Sequence, residues 1–350
     1  MAFTAQDERL MRRALALARR GLGKTSPNPA TGAVLVKNGR IIAEGFHEEA
    51  GQLHAEAKVL RHVGAKARGA TLYSTLEPCC TWGKTPPCTD AIIAARVGRV
   101  VYAATDPNPK HSGRGAKLLR QAGVHVHAGL LADEATRINA AFNKWITTGL
   151  PLVTAKAALS LDGKMATRTG DSKWITDAAA RRKAHEMRSH ADAIMVGANT
   201  VIRDDPRLTL RHGVRGRQPW RVVVDSRGQC PRTARLFTDS LRHHTLVFTT
   251  RHSPSGWRRY LALLGIVVII VPAKGGRVDL RPALRELGRM DVSSVMVEGG
   301  AQLLSAMFEA RLVDQIAFFY APIIIGGAPK VSQAVRVETA PFLIEASVVK

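Results

Sequence analysis

His54-Ala55-Glu56 and, after one strand pattern, Glu77-Pro78-Cys79-Cys80-Thr81-Trp82-Gly83-Lys84-Thr85-Pro86-Pro87-Cys88 are the stretches on which the reading of this chain turns. One histidine and two cysteines can supply three protein ligands to a zinc ion. A fourth place left open for water marks a catalytic rather than a structural centre. A structural centre wants four close ligands, and the remaining cysteine, Cys230, lies far along the chain and reads as a buried or loop thiol. Cys79 and Cys80 are adjacent, so their side chains diverge and one of the two binds. Glu56 stands too close to His54 to add usefully to the ligand set. It is suited instead to accept a proton from zinc-activated water and deliver it to a leaving amine. A lone histidine, or the cysteines alone, would carry no such reading. His-x-Glu at a helix start, then a strand, then Glu-Pro-Cys, is the arrangement of zinc deaminases.

Outward from this constellation the first half alternates helix and strand patterns. Thr4 is placed to cap a helix from Ala5 to Gly21, with Leu10, Ala14, Leu17 and Ala18 on one face. Asn38-Gly39, between Ala33–Val36 and Ile41–Gly45, is a strong hairpin signal. Helices are expected over 54–63, 88–96, 114–122 and 132–147, and strands over 71–74, 99–104 and 124–128. Gly149-Leu150-Pro151 breaks the last helix and sets the boundary between a domain of residues 1–149 and one of residues 150–350. Beyond it, strands are expected over 152–158, 193–197, 221–225, 245–249, 266–271, 292–297 and 314–320. Helices are expected over 177–190, 256–264, 279–289 and 300–310. This alternation predicts an α/β fold with a largely parallel sheet in each half and ligands at the carboxyl ends of strands.

With 350 residues, 45% hydrophobic and 23% charged, the chain can bury two cores without disulfides and is not disordered. The longest apolar run, Gly265 to Pro272, has strand length, short of the ~18 residues of a membrane span. The N-terminus carries early acids and no apolar signal core, so a cytoplasmic location is expected. Lys and Arg number 51 against 28 Asp and Glu, a formal charge of +23 spread over both halves. Such a surface attracts anions: nucleic acid, phosphorylated metabolites or dinucleotides.

The second half reads less sharply. Glu298-Gly299-Gly300 follows a strand and opens a helix, a place where backbone N–H groups can approach a phosphate or simply form a tight turn. Six arginines lie between Arg203 and Arg221 (Arg203, Arg207, Arg211, Arg215, Arg217 and Arg221), able to clamp a phosphate or to form a solvated basic loop.

Several motifs taken together resemble the bifunctional deaminase/reductase family of riboflavin biosynthesis. They are Pro27-Asn28-Pro29-Ala30-Thr31-Gly32-Ala33-Val34, His54-Ala55-Glu56, Thr75-Leu76-Glu77-Pro78-Cys79 through Cys88, and Asp106-Pro107-Asn108-Pro109. In the second half they are Lys156 to Lys164, Ser172-Lys173-Trp174-Ile175-Thr176, Val196 to Val201, Asp204-Asp205-Pro206-Arg207-Leu208-Thr209 and Val297-Glu298-Gly299-Gly300. The resemblance implies a cytidine-deaminase-like three-layer domain followed by a dihydrofolate-reductase-like domain. It implies zinc on His54, Cys79 and Cys88, with Glu56 as proton carrier and Asn28 on the substrate pyrimidine. In the reductase it implies NADPH on Ala158, Trp174, Thr200, Asp204, Ser226 and Gly300, Ala301, Gln302, Leu303, Leu304, Ser305 and Ala306. Ser172, Arg188, Leu208, Arg211 and Glu298 would face the substrate, a phosphorylated pyrimidine nucleotide. No nucleic-acid or membrane partner is expected, and a homo-oligomer is left open.

The chain departs from the family pattern at Thr81, where the family usually has His. The likeness covers about residues 5–330 and loosens over Ala328–Lys350, which is expected to leave the reductase half the less stable one. A nucleic-acid zinc deaminase shares the first chemistry, but the reductase-like half and the long gap between Cys79 and Cys88 argue against it. A deaminase with an impaired reductase half is the other alternative.

Overall fold

A computed structural model describes residues 3–83, 85–167 and 177–325. The expectations for Ser172, Trp174 and Ala328–Lys350 therefore lie outside the described residues. The chain divides into two compact units, Met1–Gly149 and Leu150–Lys350.

The first unit runs α1 (Ala5–Arg19), β1 (Gly32–Lys37), β2 (Arg40–Phe46), α2 (Ala55–Val63), β3 (Thr71–Leu76), α3 (Cys88–Ala94), β4 (Arg99–Ala104), α4 (Arg114–Gln121), β5 (His125–Ala128), α5 (Ala132–Ile138) and α6 (Ala140–Thr148). Thr4 caps α1 as expected: its hydroxyl accepts the Asp7 N–H, and the Asp7 carboxylate accepts the Thr4 N–H. Asn38 and Gly39 both take positive φ, 50° and 74°, and close the β1–β2 hairpin.

The sheet order is β2-β1-β3-β4-β5, with β1 antiparallel to both neighbours and β3, β4 and β5 parallel. The sheet of this half is thus mixed rather than largely parallel. The α2 crossover does join two strands of like direction, β2 and β3, but the hairpin strand β1 lies between them. Alternate residues of β1 feed opposite cores. Val34 and Val36 pack with Leu10, Met11 and Leu15 of α1, while Ala33 and Leu35 pack with Val59 and Leu60 of α2 and Ile92 of α3. Helices cover both faces, giving three layers. Gly32 is obligatory where α1 meets β1, because a Cβ there would lie 2.1 Å from the Ala14 carbonyl oxygen.

The single helix expected over 132–147 is broken at Asn139. Its buried amide leaves the helix pattern and pairs with the Ala30 backbone in both directions, at 2.8 and 3.0 Å.

The second unit runs β6 (Leu152–Ser160), α7 (Ala178–His190), β7 (Ala193–Gly197), α8 (Ala198–Asp204), β8 (Trp220–Val224), α9 (Arg235–Thr238), β9 (Thr245–Thr249), α10 (Ser255–Leu263), β10 (Val267–Ile270), the short hairpin β11 (Ala273–Lys274) and β12 (Arg277–Val278), α11 (Leu280–Arg289), β13 (Ser294–Val297), α12 (Ala301–Glu309) and β14 (Gln315–Ala321). Its main sheet, β10-β9-β8-β7-β13-β6-β14, is parallel at every described pairing. One face packs on α11 and α12 through Leu284, Leu287 and Met307, the other on α9 and α10 through Phe237, Trp257 and Leu261. Along β6, Val153, Ala155, Ala157 and Leu159 are buried, and Thr154, Lys156 and Ala158 are less so. No helix among the described residues is long and apolar enough to cross a membrane.

Candidate active sites

In the first unit, His54 is the residue that starts α2, and its imidazole makes no capping bond to that helix. It meets two thiols. The Sγ atoms of Cys79, in the loop after β3, and of Cys88, the first residue of α3, each lie 3.4 Å from His54 Nδ1. The three donor atoms fall within 4.8 Å of one another, close enough for one metal ion. Pro86 and Pro87 lead the chain into α3, so the Cys88 backbone N–H points back and donates to Cys79 Sγ at 3.3 Å. Hydrogen bonds from Cys88 and His54 pull the Cys79 thiol down to about 4, against the opposing effect of burial. Cys80 turns the other way, its Sγ lying 3.9 Å from the Lys110 carbonyl oxygen and 3.7 Å from His111 Nδ1.

Glu56 follows in the first turn of α2 and is buried. Its Oε2 lies 3.6 Å from Cys88 Sγ, and its Oε1 accepts from the Ser74 hydroxyl at 2.7 Å. Burial lifts its carboxyl above the ordinary carboxylate range, although His54 and the Ser74 bond favour the anion.

The loop that carries the thiols is anchored by Glu77. Its buried carboxylate accepts backbone N–H groups of Asp106, Gly113 and Ala116. Gly115 lets α4 come up to this loop, since a Cβ there would sit 2.1 Å from the Pro78 carbonyl oxygen. Thr81 Oγ1 lies 3.5 Å from His111 Nε2.

Asn28, in the loop before β1, does not touch the thiols. Its Nδ2 lies 3.3 Å from Nε2 of His47, a buried imidazole whose Nδ1 lies 3.1 Å from the Leu53 carbonyl oxygen. Burial lowers the His47 pKa, which favours the neutral ring, and the ring packs edge-on to His54 at 5.1 Å. Sequence reasoning missed His47 and Ser74, because single residues outside a motif give no pattern to read.

In the second unit, Glu298 emerges from the carboxyl end of β13, largely covered, and is gripped by Arg188 of α7. Arg188 Nε donates to Oε1 and its NH2 to Oε2 at 2.9 Å, while its NH1 donates to the Thr209 carbonyl oxygen at 3.1 Å. Lys156 Nζ of β6 stands 3.6 Å from the same carboxylate. Burial opposes the charge on Glu298, but Arg188 and then Lys156 outweigh it and hold the carboxyl at about 2. Leu208 and Arg211 sit on the loop after α8. The Leu208 side chain is buried in the core, so only its backbone can face a ligand, whereas Arg211 is exposed.

Of the residues expected at the coenzyme, Thr200 of α8 and Gly300 before α12 come together: the Gly300 N–H donates to Thr200 Oγ1 at 3.2 Å. Asn199 donates to Gln302 at 3.1 Å, tying the same two helices. Leu303 and Leu304 are core residues and Ala306 packs against the same core, so along this stretch Gln302 is the exposed side chain, with Ala301 and Ser305 half-buried. A Cβ on Gly299 would lie 3.2 Å from the Leu303 side chain, which keeps this turn bare. Ser226, after β8, uses its hydroxyl to accept the Val278 N–H at 2.9 Å. Asp204 ends α8 at the surface.

Comparison with known proteins matches both units. Residues 4–104 match the cytidine and deoxycytidylate deaminase zinc-binding region, and residues 151–348 match the RibD C-terminal domain. The second match runs past residue 330, where the likeness was expected to loosen. The chain is 42% identical over 324 residues to the riboflavin biosynthesis protein RibD of Actinobacillus pleuropneumoniae, covering 93% of this chain and 86% of the relative. Against RibD of Escherichia coli K12 it is 40% identical over 333 residues, covering 92% and 89%. The structure of Acinetobacter baumannii RibD, form 1, superposes with a TM-score of 0.84 at 40% identity, covering 92% of this chain and 88% of that one. A Thermotoga maritima diaminohydroxyphosphoribosylaminopyrimidine deaminase/5-amino-6-(5-phosphoribosylamino)uracil reductase superposes with a TM-score of 0.81 at 40% identity, with coverage of 92% and 88%.

Proposed function

The chain belongs to the bifunctional deaminase/reductase family of riboflavin biosynthesis, and we propose that its own residues divide the two reactions as follows. It is a zinc-dependent deaminase and an NADPH-dependent reductase. The first reaction hydrolyses the 2-amino group from 2,5-diamino-6-(5-phosphoribosylamino)pyrimidin-4(3H)-one. The second reduces the ribosyl side chain to give 5-amino-6-(5-phosphoribitylamino)uracil.

In the first unit, His54, Cys79 and Cys88 would hold zinc. One imidazole nitrogen and two sulfurs are a donor set that this borderline-soft ion favours, and three ligands leave a place open. When bound, the metal lowers the pKa of a coordinated water toward about 7. Glu56 takes the water's proton and delivers it to the departing ammonia, with Ser74 fixing one carboxylate oxygen so that the other faces the cluster. Burial, which raises its pKa, favours the protonated form that a proton carrier must be able to reach. The His47 tautomer follows from the hydrogen-bond network. Nδ1–H donates to Leu53, so Nε2 accepts from the Asn28 amide, and Asn28 Oδ1 is left to accept an N–H of the pyrimidine.

In the second unit, Glu298 with Arg188, Arg211 and Ser172 would receive the substrate, with the Leu208 backbone beside them. Ala158, Trp174, Thr200, Asp204, Ser226 and Gly300 to Ala306 would receive NADPH, where the bare turn at Gly299-Gly300 lets a ligand approach the start of α12. NADPH supplies the hydride when bound. Substrate and coenzyme are both anions, and a chain of formal charge +23 steers both toward itself. A cytoplasmic location belongs to the same reading, supported by bacterial biosynthetic relatives.

The observation that carries the reading is the His54–Cys79–Cys88 donor set with the buried Glu56 beside it. The test is incubation with the diaminopyrimidine nucleotide, with and without NADPH, and mass analysis of the products. The expected result is exchange of an amino group for oxygen without NADPH, and a further gain of two hydrogens with it. An unchanged nucleotide with zinc-loaded protein would refute the reading.

A further inference from the structure

His185 is a buried histidine of the second unit that neither reaction has yet used. It lies on α7 one turn before Arg188 and so shares its face. The two side chains hold alternate backbone groups of one loop: Arg188 NH1 donates to the Thr209 carbonyl oxygen, and His185 Nδ1 accepts the Arg211 N–H at 3.0 Å. The Leu210 N–H between them donates to Gln218 Oε1 at 3.0 Å. This loop has no strand partner for these groups, and its shape is costly. Asp205, Leu208 and His212 take positive φ of 40°, 52° and 57°, a region that non-glycine residues avoid. Side chains from outside the loop must therefore hold it in place.

The groups facing His185 are Arg188 on its own helix, Arg211 and His212 on the loop, and Glu298 beyond β13; the His212 ring stands 4.8 Å away, edge-on. Burial, then the guanidinium groups of Arg188 and Arg211, push His185 down to about 4, so the ring is neutral and Nδ1 keeps its lone pair for the Arg211 N–H. The Arg211 guanidinium forms no salt bridge among the described residues. Arg188 and Arg207 press on it, while the carboxylate of Glu298 is already engaged by Arg188 and Lys156. A cation in that setting lacks an anion.

We propose that His185 is a positioning residue for the reductase: by holding the Arg211 backbone it sets the Arg211 guanidinium as a receptor for the phosphate of the substrate. This rests on the reading that Arg211 faces the substrate. The imidazole touches no reacting atom. It works through the loop, which would otherwise relax out of its strained shape.

The test uses the full-length, zinc-loaded protein and four variants. His185→Phe keeps the volume and removes the acceptor. His185→Asn places an amide oxygen near the position of Nδ1. Arg211→Ala removes the guanidinium, and the double variant His185→Phe/Arg211→Ala tests coupling. Reductase kinetics are read with the deaminated substrate and with its dephosphorylated form, and ammonia release reports the first unit. His185→Phe should raise KM for the phosphorylated substrate about tenfold, the size of one misplaced charge-assisted contact. Its kcat, its KM for NADPH and its kcat/KM on the dephosphorylated form should stay within about threefold of the parent. His185→Asn should recover most of the loss, and the double variant should be no worse than Arg211→Ala. If Arg211→Ala raises KM and His185→Phe does not, the positioning role is overturned and the anion receptor stands. If His185→Phe weakens both substrate forms equally, its role is only structural and the proposal fails. If neither variant changes KM, the substrate-facing reading of Arg211 falls and the proposal falls with it.

Discussion

Two glutamates sheltered from solvent, one in each unit, have their carboxyl pKa shifted in opposite directions. Glu56 has the Ser74 hydroxyl and the Cys88 sulfur against it and no salt bridge among the described residues, and burial lifts its carboxyl although His54 favours the anion. Glu298 is nearly as buried, but Arg188 and Lys156 hold its carboxyl at about 2. Burial alone does not decide the charge of an acid; the partner does. Chemistry follows from that contrast. An acid that binds its proton readily can ferry one, which is the part proposed for Glu56. An acid locked as an anion organises cations, and Glu298 holds Arg188 and Lys156 beside the loop that carries Arg211, the group proposed to meet an anionic ligand.

The strongest way to break this comparison is to remove the proton carrier. Glu56→Gln should cost roughly 10²–10⁴ in deamination rate, the range of positioned acid–base groups. It should leave zinc content intact, and NADPH oxidation on the deaminated substrate unchanged. Cys88→Ser should lose the metal, and Cys80→Ser, whose sulfur faces Lys110 and His111, should keep it. Ammonia release and metal analysis read both. Near-parent ammonia release from Glu56→Gln would sink the proton role, and equal zinc loss from the two cysteine variants would sink the ligand assignment.

The next largest effect lies in the other unit. Arg188→Leu strands a buried carboxylate, and breaking one side of such a pair costs about 3–5 kcal/mol. In urea unfolding the loss should appear in the second unit, with ammonia release from the first persisting to the same denaturant concentration. A cost below about 1 kcal/mol would place the pair among solvent-screened surface bridges instead.

The same carboxylate carries a pH signature whose sign can be worked out. Its folded pKa, about 2, lies below its ordinary value of 4.5, so the anion stabilises the fold. That contribution is fully present above pH 4.5 and is lost as pH falls through about 2. The shift corresponds to about 3 kcal/mol. Glu298→Gln should therefore be less stable than the parent at neutral pH, and the gap should narrow across that window. A gap that stays constant with pH would mean that the charge of Glu298 is not what holds Arg188.

These contrasts also explain what could be read in advance. His54, Glu56, Cys79 and Cys88 sit in two short contiguous motifs, and their chemistry is legible because the spacing itself is the signal. Thr4 and Asn38-Gly39 are legible for the same reason: each acts on residues two or three places away. The cradle around Glu298 is assembled from β6, α7, the loop after α8 and β13, so no window of sequence contains it. Without the family resemblance, Glu298-Gly299-Gly300 is a tight turn as readily as a ligand site.

Other features escaped for local reasons. The helix Ala198–Asp204 starts at Gly197 with no side-chain cap, so the run of arginines around it reads as loop. The break at Asn139 depends on the Ala30 backbone, 109 residues away, which no helix periodicity reports. The β1–β2 hairpin is legible at Asn38-Gly39, but the insertion of β1 between β2 and β3 is not, because a crossover helix promises parallel strands without saying what lies between them.

The smallest effect is expected at Thr81, inside the loop that carries the thiols. Its hydroxyl reaches only His111, at 3.5 Å, the outer limit of a hydrogen bond, and its side chain is absent from the donor set. The loop is held elsewhere: by the three backbone bonds to Glu77, by Cys88 N–H on Cys79 Sγ and by the close approach at Gly115. A contact at that distance is worth at most the low end of a neutral hydrogen bond, so Thr81→Ala should lower kcat/KM for ammonia release by about threefold or less. Zinc content should not change. The two motifs of the first unit would then contain positions that differ in effect by orders of magnitude, Glu56 at one extreme and Thr81 at the other. A tenfold or greater loss in Thr81→Ala with zinc retained would show instead that this hydroxyl meets the substrate.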